Sequence, residues 1–275
     1  INPKIVVVEK PISEPNLSVL REFKKVITAS SLPILCGYNH RVGLNTKLAL
    51  ELAKSTDMQK ITNLTSKILE SWDGILKAHP WLNGPHESYL GFTSRGGGAT
   101  FEHSHGIDLW MYYAKVLNLG QVTSLKANAN FVNSEFGAEY DESMEINLVT
   151  ELGCTGLISQ DVKTFPPVKF VEIESKLGYL KSTLSKSDFS DEVFWKSKVD
   201  SNLSTSINVS KKRYFEFDVE MNELEQILKL PLNEQKESAL NANLAINSAF
   251  IGIAALESAK IQKTLYLDFD KFFWS

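Results

Sequence analysis

The chain has 275 residues, 43% of them hydrophobic and 23% charged, with a net charge of −4 at pH 7. That length suits one large domain or two smaller ones, and the composition is that of an ordinary globular protein. Lys and Arg number 29 against 33 Asp and Glu, so there is no basic excess of the kind nucleic-acid binding draws on. No apolar run approaches the ~20 residues that span a bilayer. Neither nucleic acid nor membrane is an expected partner. The two cysteines, Cys36 and Cys154, fit no metal spacing. They point to a reducing compartment, expected to be cytoplasmic, and leave a disulfide between them open.

The chain enters almost at once into Ile5-Val6-Val7-Val8, a β-branched run expected to be buried on both faces of a parallel sheet. Glu9-Lys10-Pro11 follows it. From Asn16 to about Ala29 the apolar positions Leu17, Leu20, Phe23, Val26 and Ile27 keep helical spacing, and Ile34 to Tyr38 reads as a second buried strand. Strand, helix and strand make a right-handed βαβ unit. Its strands deliver Lys10 and Asn39/Arg41 to one crevice, at the carboxyl ends where α/β folds bind ligands. A plain solvated lysine is the competing reading of Lys10.

Leu44 to about Ala53 looks helical. Met58 to Trp72 suits a helix by spacing and a strand by composition. Trp81 to Phe92 reads as an aromatic loop. Ser94 to Trp110 then packs four glycines, three of them adjacent, with two histidines, two carboxylates and an arginine into seventeen positions. Ordering adjacent glycines is costly, so backbone here approaches something closely or turns unusually.

On a helix, Glu102, His105 and Asp108 lie one turn apart on one stripe, which positions and tunes an imidazole for acid–base work. His103 points away. Read as a strand, the segment would instead put His103 and His105 on one face, with a carboxylate, for a metal. A core histidine under a glycine loop is the third reading.

Beyond Gly120, strands are expected at Val122–Val132, Met144–Thr150, Cys154–Val162, Val168–Ser175 and Arg213–Val219. In Lys169 to Glu174 polar and apolar residues alternate, as in a sheet with one wet face. Lys181 to Lys212 reads as a long, partly mobile excursion. Met221–Leu228 reads as a short helix, Asn241–Lys260 as a largely buried one, and Lys263–Phe269 as a closing strand or tail.

Four of these segments resemble motifs of one family. Val8-Glu9-Lys10-Pro11 is similar to its EKP motif, and Tyr38-Asn39-His40-Arg41 to its YNxR strand end. Gly96-Gly97-Gly98 followed by His105-Gly106-Ile107-Asp108 resembles its GGG…HxID helix, and the helix through Ala255-Leu256-Glu257-Ser258-Ala259 its closing helix. The family is that of glucose–fructose oxidoreductase, inositol dehydrogenase and MocA (Gfo/Idh/MocA). The resemblance runs, in order, over essentially the whole chain.

It implies an α/β then α+β fold: a partial Rossmann βαβ remnant over 1–42, then a large open, mostly antiparallel sheet packed on helices over 43–275. It implies an NAD- or NADP-dependent oxidoreductase acting on a sugar or nucleotide-sugar, and a homo-oligomer formed through the open sheet. No G-x-G-x-x-G occurs in the sequence, so the chain is expected to be a fragment of a longer enzyme without that pyrophosphate-binding loop. A non-catalytic sugar-binding or assembly module is the alternative.

Carried over by position, the catalytic set is Lys10, His105, Asp108 and Glu102. Lys10 would lie between nicotinamide and substrate, and His105 would be the acid–base for a hydroxyl. Asp108 would orient the histidine or the substrate. Many members carry aspartate one residue before Glu102, where this chain has Phe101. Glu9, Lys10, Pro11 and Asn39 would contact the cofactor. Arg41, Tyr89, Arg95 and Trp110 would contact the substrate, and no metal is implied.

Overall fold

The computed structural model describes residues 3–56, 58, 60–134, 136–187, 190–210 and 215–275. β1 (Val6–Val8) and β2 (Ile34–Cys36) pair in parallel through α1 (Leu17–Ala29), the expected βαβ unit. Asn16 starts α1 because its side-chain oxygen accepts from the amides of Ser18 and Val19, satisfying two of the helix's open donors. β1 is not buried on both faces. Val6 and Val7 are 39% and 45% exposed, since among the described residues β1 pairs with β2 alone.

A short 3₁₀ turn, Asn39–Arg41, leads to α2 (Leu44–Ser55). The ambiguous stretch resolves as a strand, β3 (Ile61–Leu69), followed by α3 (Asp73–Ala78). The aromatic loop is a series of 3₁₀ turns at Pro85–Glu87, Tyr89–Gly91 and Thr93–Arg95. The single expected helix after the glycines is two: α4 (Gly98–Glu102) and α5 (His105–Val116).

The remaining strands are β4 (Val122–Asn133), β5 (Glu139–Thr150), β6 (Thr155–Asp161), β7 (Val168–Ser175), β8 (Gly178–Ser187), β9 (Ser190–Ser197) and β10 (Ser204–Ser210). Then come α6 (Phe215–Ile227), α7 (Leu232–Lys236), α8 (Ala242–Ile261), β11 (Leu265–Asp268) and β12 (Phe273–Trp274). Ten strands form one sheet in the order β10-β9-β8-β7-β3-β6-β5-β4-β11-β12. Among the described residues only β3 and β6 in it run parallel.

Two expectations are corrected here. The Ser/Lys-rich excursion is the β8–β9–β10 edge of the sheet. Leu180, Leu184 and Val193 are buried on one side together with Ser182, Asp191 and Ser197, and most of the remaining described serines and lysines lie on the wet face. The expected strand at Arg213–Val219 is also revised. Arg213 and Tyr214 lie outside the described residues, and 215–219 open α6.

α8 is long and apolar enough to cross a bilayer by length and composition, yet most of it is buried inside the molecule. It lies against β4, α5 and α1. Asn241 caps it through the amide of Leu244. Near its other end, Ser258 Oγ accepts from the amide of Ala127 on β4 at 3.0 Å. Both cysteines are free.

Trp110, at the centre of α5, is fully buried. Its indole N–H donates to the carbonyl of Leu64 at 2.8 Å. It therefore joins helix to sheet and cannot line a substrate crevice, contrary to the expectation. Gly156 on β6 makes the notch for this ring, and a Cβ there would collide with the indole. Gly156→Ala is expected to cost about 1–3 kcal/mol by overpacking, read as a lower denaturation midpoint. Adding Trp110→Phe should return part of the loss, and an unchanged midpoint in the single variant would refute the packing.

Candidate active site

Four segments meet at the break between α4 and α5: the turn after β1, the 3₁₀ turn after β2, the Tyr89–Gly91 turn, and the break itself. The sheet holds α4 at both ends. Asp141 on β5 accepts from the amide and hydroxyl of Thr100 at 2.7 and 2.6 Å, and from the Thr93 hydroxyl at 2.8 Å. Burial pushes its carboxyl up, while these donors pull it down. Gly98, at φ +75°, must be glycine, because a Cβ would also strike the Asp141 carboxylate.

At the other end, Gln160 on β6 donates to the carbonyls of Ala99 and His103, both at 2.7 Å. It thus gives both carbonyls a second donor and ties to the sheet a five-residue helix that would not stand alone. Neither Asp141 nor Gln160 was found from sequence. Gln160 carried a signal, as a polar residue on the inward alternation with Gly156 and Ile158. Asp141 carried none. The pairing of β4 and β5 shifts register at Asn130/Phe131, and that irregularity re-aims the side chain.

The break turns Glu102 towards Lys10. The Lys10 ammonium donates to the Glu102 carbonyl at 2.8 Å and lies 3.5 Å from its carboxylate. The other carboxylate oxygen accepts from the Tyr89 hydroxyl at 2.8 Å. Burial first, and then the adjacent carboxylate, push the Tyr89 phenol well above its ordinary value. Glu102 therefore holds Lys10 and Tyr89.

The His105 ring is half-buried, and its Nδ1 is sealed from solvent with no hydrogen-bond partner. The ring packs edge-on against Tyr38, centroids 5.5 Å apart, and His40, 4.6 Å apart. Burial holds His105 well below the ordinary histidine value, and the charges of His40 and Lys10 add to that. Lys10 and His105 thus share one neighbourhood.

Asp108 does not orient His105. It is buried and forks onto Arg41, with Arg41 Nε to Oδ2 at 2.7 Å and Nη2 to Oδ1 at 2.5 Å. Ser248 of α8 donates to the same carboxylate at 3.0 Å. Burial raises the Asp108 carboxyl against the pull of Arg41. Arg41 is itself fully buried, and its Nη1 donates to the carbonyls of Ala239 and Asn241 at 3.0 and 3.1 Å. It braces the fold and offers no donor to a crevice, which corrects its expected role in binding substrate.

Arg95 is exposed and stacks on Phe92 at 4.2 Å. Glu9 is exposed beside Gly37, where a Cβ would lie 3.3 Å from its carboxylate and equally close to Glu220. The Asn39 Oδ1 is buried without a partner. The strand reading of His103 and His105 is overturned by the helix break. His103 Nε2 instead meets the carbonyl of Glu70 at 2.9 Å. Among the described residues no three His, Cys, Asp or Glu side chains are grouped to hold a metal.

No protein-family model and no curated protein matches the chain. Solved structures do. An oxidoreductase from Thermotoga maritima superposes with a TM-score of 0.70 at 16% identity, over 96% of this chain and 73% of that one. Levoglucosan dehydrogenase, in complex with NADH and levoglucosan, gives 0.73 at 15% identity over 95% and 73%. An oxidoreductase from Agrobacterium radiobacter, in complex with NAD+, L-tartaric acid and magnesium, gives 0.72 at 17% over 98% and 74%. The chain has the fold of these oxidoreductases.

The buried histidines make stability depend on pH. Burial lowers His105 and His103 below their ordinary value of 6.5. Below about pH 6.5 the unfolded chain therefore binds protons that the folded one refuses, so stability is full above that pH and falls as pH drops. His105→Gln should make the decline of the melting temperature between pH 7 and 5 shallower. An unchanged slope would contradict the burial of an uncharged ring.

Proposed function

We propose that the chain is the substrate-side part of an NAD(P)-dependent oxidoreductase of the Gfo/Idh/MocA type, acting on a hydroxyl or carbonyl of a sugar or nucleotide-sugar. The observation that supports this reading is that Lys10 bonds the Glu102 carbonyl at the α4–α5 break, three residues before His105, whose ring its charge acts on. The fold shared with oxidoreductases solved with NADH or NAD+ adds to it. Residues 1–42 would be the carboxyl-side part of a Rossmann domain and 43–275 the substrate domain.

The donor set fits the nicotinamide–ribose end of such a cofactor. Glu9, exposed beside Gly37, offers acceptors for ribose hydroxyls, Lys10 and Pro11 follow it in the chain, and the unpartnered Asn39 Oδ1 would take a donor from the cofactor. The pyrophosphate end would need a glycine-rich loop that these 275 residues do not contain. A bound nicotinamide would supply the hydride acceptor or donor.

In this reading the chain's own residues handle the proton and the geometry. His105 stays uncharged at neutral pH, as a base must. With Nδ1 sealed, the substrate hydroxyl proton would be taken at Nε2. Lys10, fixed by Glu102, would place its remaining N–H on the same oxygen and favour the developing alkoxide. Glu102 is then a positioning residue. Tyr89, 47% exposed, offers a ring face to a pyranose, and Arg95 a charge at the rim.

The test is a His105→Asn variant of the full protein, assayed with both nicotinamide cofactors and a panel of pyranoses and nucleotide-sugars. Turnover should fall about 10²–10⁴-fold while cofactor affinity stays within about threefold. Turnover at the unsubstituted level would refute the assignment. Sugar binding without turnover in the unsubstituted protein would favour a binding module instead.

A further inference from the structure

His105 lacks the usual support of a catalytic imidazole. A general base is normally steered by a carboxylate on its second nitrogen. Here Asp108, one turn away, is consumed by Arg41 and Ser248. Glu102, one turn the other way, is consumed by Lys10 and Tyr89. Nδ1 has no partner at all.

What the ring does touch is another titratable ring. His40, in the 3₁₀ turn after β2, lies edge-on to it with centroids 4.6 Å apart at 64°. Tyr38, two residues before His40, closes a second side at 87°. These two rings come from one turn, and together they fix the plane of the third.

We propose that His40 is the positioning residue for His105, and that the two imidazoles act as a pair holding at most one proton between them, with His40 taking it first. Two charged rings at this separation repel strongly in a partly desolvated setting. The other titratable groups that act on His105 are Lys10 from the turn after β1, His103 from the helix break and Lys169 from β7. All three are basic, so none of them favours a charged His105. A substrate proton arriving on His105 Nε2 would therefore be held weakly and would leave from that nitrogen to water, returning the ring to its neutral form. This use of the pair rests on the function proposed above; the pairing itself does not.

The experiment is imidazole NMR titration of the full protein, which needs no substrate. In His40→Gln, His105 should bind its proton about tenfold more tightly or better, a rise of one pH unit or more. In His105→Gln, His40 should titrate where it does in the unsubstituted protein, because it takes its proton while His105 is still neutral. His40→Asn supplies the same readout should His40→Gln misfold. A His105 that titrates at the same pH with and without His40 would overturn the pairing. Coupled titration in a protein that turns over no sugar would sink the proposed function and leave the pair standing. In an active protein, the acid limb of the turnover profile should move up in His40→Gln by the same shift.

Discussion

The fold is pinned by one buried ion pair. Arg41 closes the 3₁₀ turn that follows the second strand of the βαβ unit, Asp108 lies in α5, and neither side chain reaches solvent. Burying two charges is expensive, and the cost is offset only where every remaining donor and acceptor is used. That condition is met. The fork to Asp108 takes two guanidinium nitrogens, Nε and Nη2, the carbonyls of Ala239 and Asn241 take Nη1, and Ser248 adds a donor to the carboxylate. The pair therefore locks together the end of β2, the first turns of α5 and the start of α8. Breaking such a pair typically costs about 3–5 kcal/mol. The Cys36 amide, bonded to the Leu240 carbonyl at 2.8 Å, extends the same seam.

A second anchor comes from the large sheet. Asp141 and Gln160, on neighbouring strands, hold the two ends of α4, and α4 carries Glu102 to Lys10. The break at His103–Ser104 lets α5 restart with His105 turned towards the βαβ unit. The site is thus set between two rigid bodies of secondary structure, and its geometry follows from buried polar contacts that cannot be exchanged for water. The low proton affinity of His105 follows from the same burial.

Much of this was legible in the sequence. The βαβ unit, the closing helix and the strands from Val122 to Ser175 follow from hydrophobic periodicity and turn residues, which are local signals. So does the concentration of chemistry between Ser94 and Trp110. What was not legible depends on partners distant in sequence. Arg41 and Trp110 look like crevice residues by type, and only their tertiary partners, Asp108 and the Leu64 carbonyl, make them structural. The stripe from Glu102 through His105 to Asp108 assumed one continuous helix, and the sheet's grip on α4 interrupts it. The β8–β10 edge hid behind its wet face. Asp141 was invisible because a register shift, not alternation, turned it inward.

The most direct test of a shared Lys10–His105 site is a crystal structure of the full protein with a reduced nicotinamide cofactor and a sugar. The reacting oxygen should lie within hydrogen-bond distance of both Lys10 Nζ and His105 Nε2, with the nicotinamide ring on the Glu9–Pro11 side. A sugar seated instead in the cavity of about 400 Å³ lined by Phe92, Phe131 and Trp274, with Lys10 and His105 untouched, would contradict it.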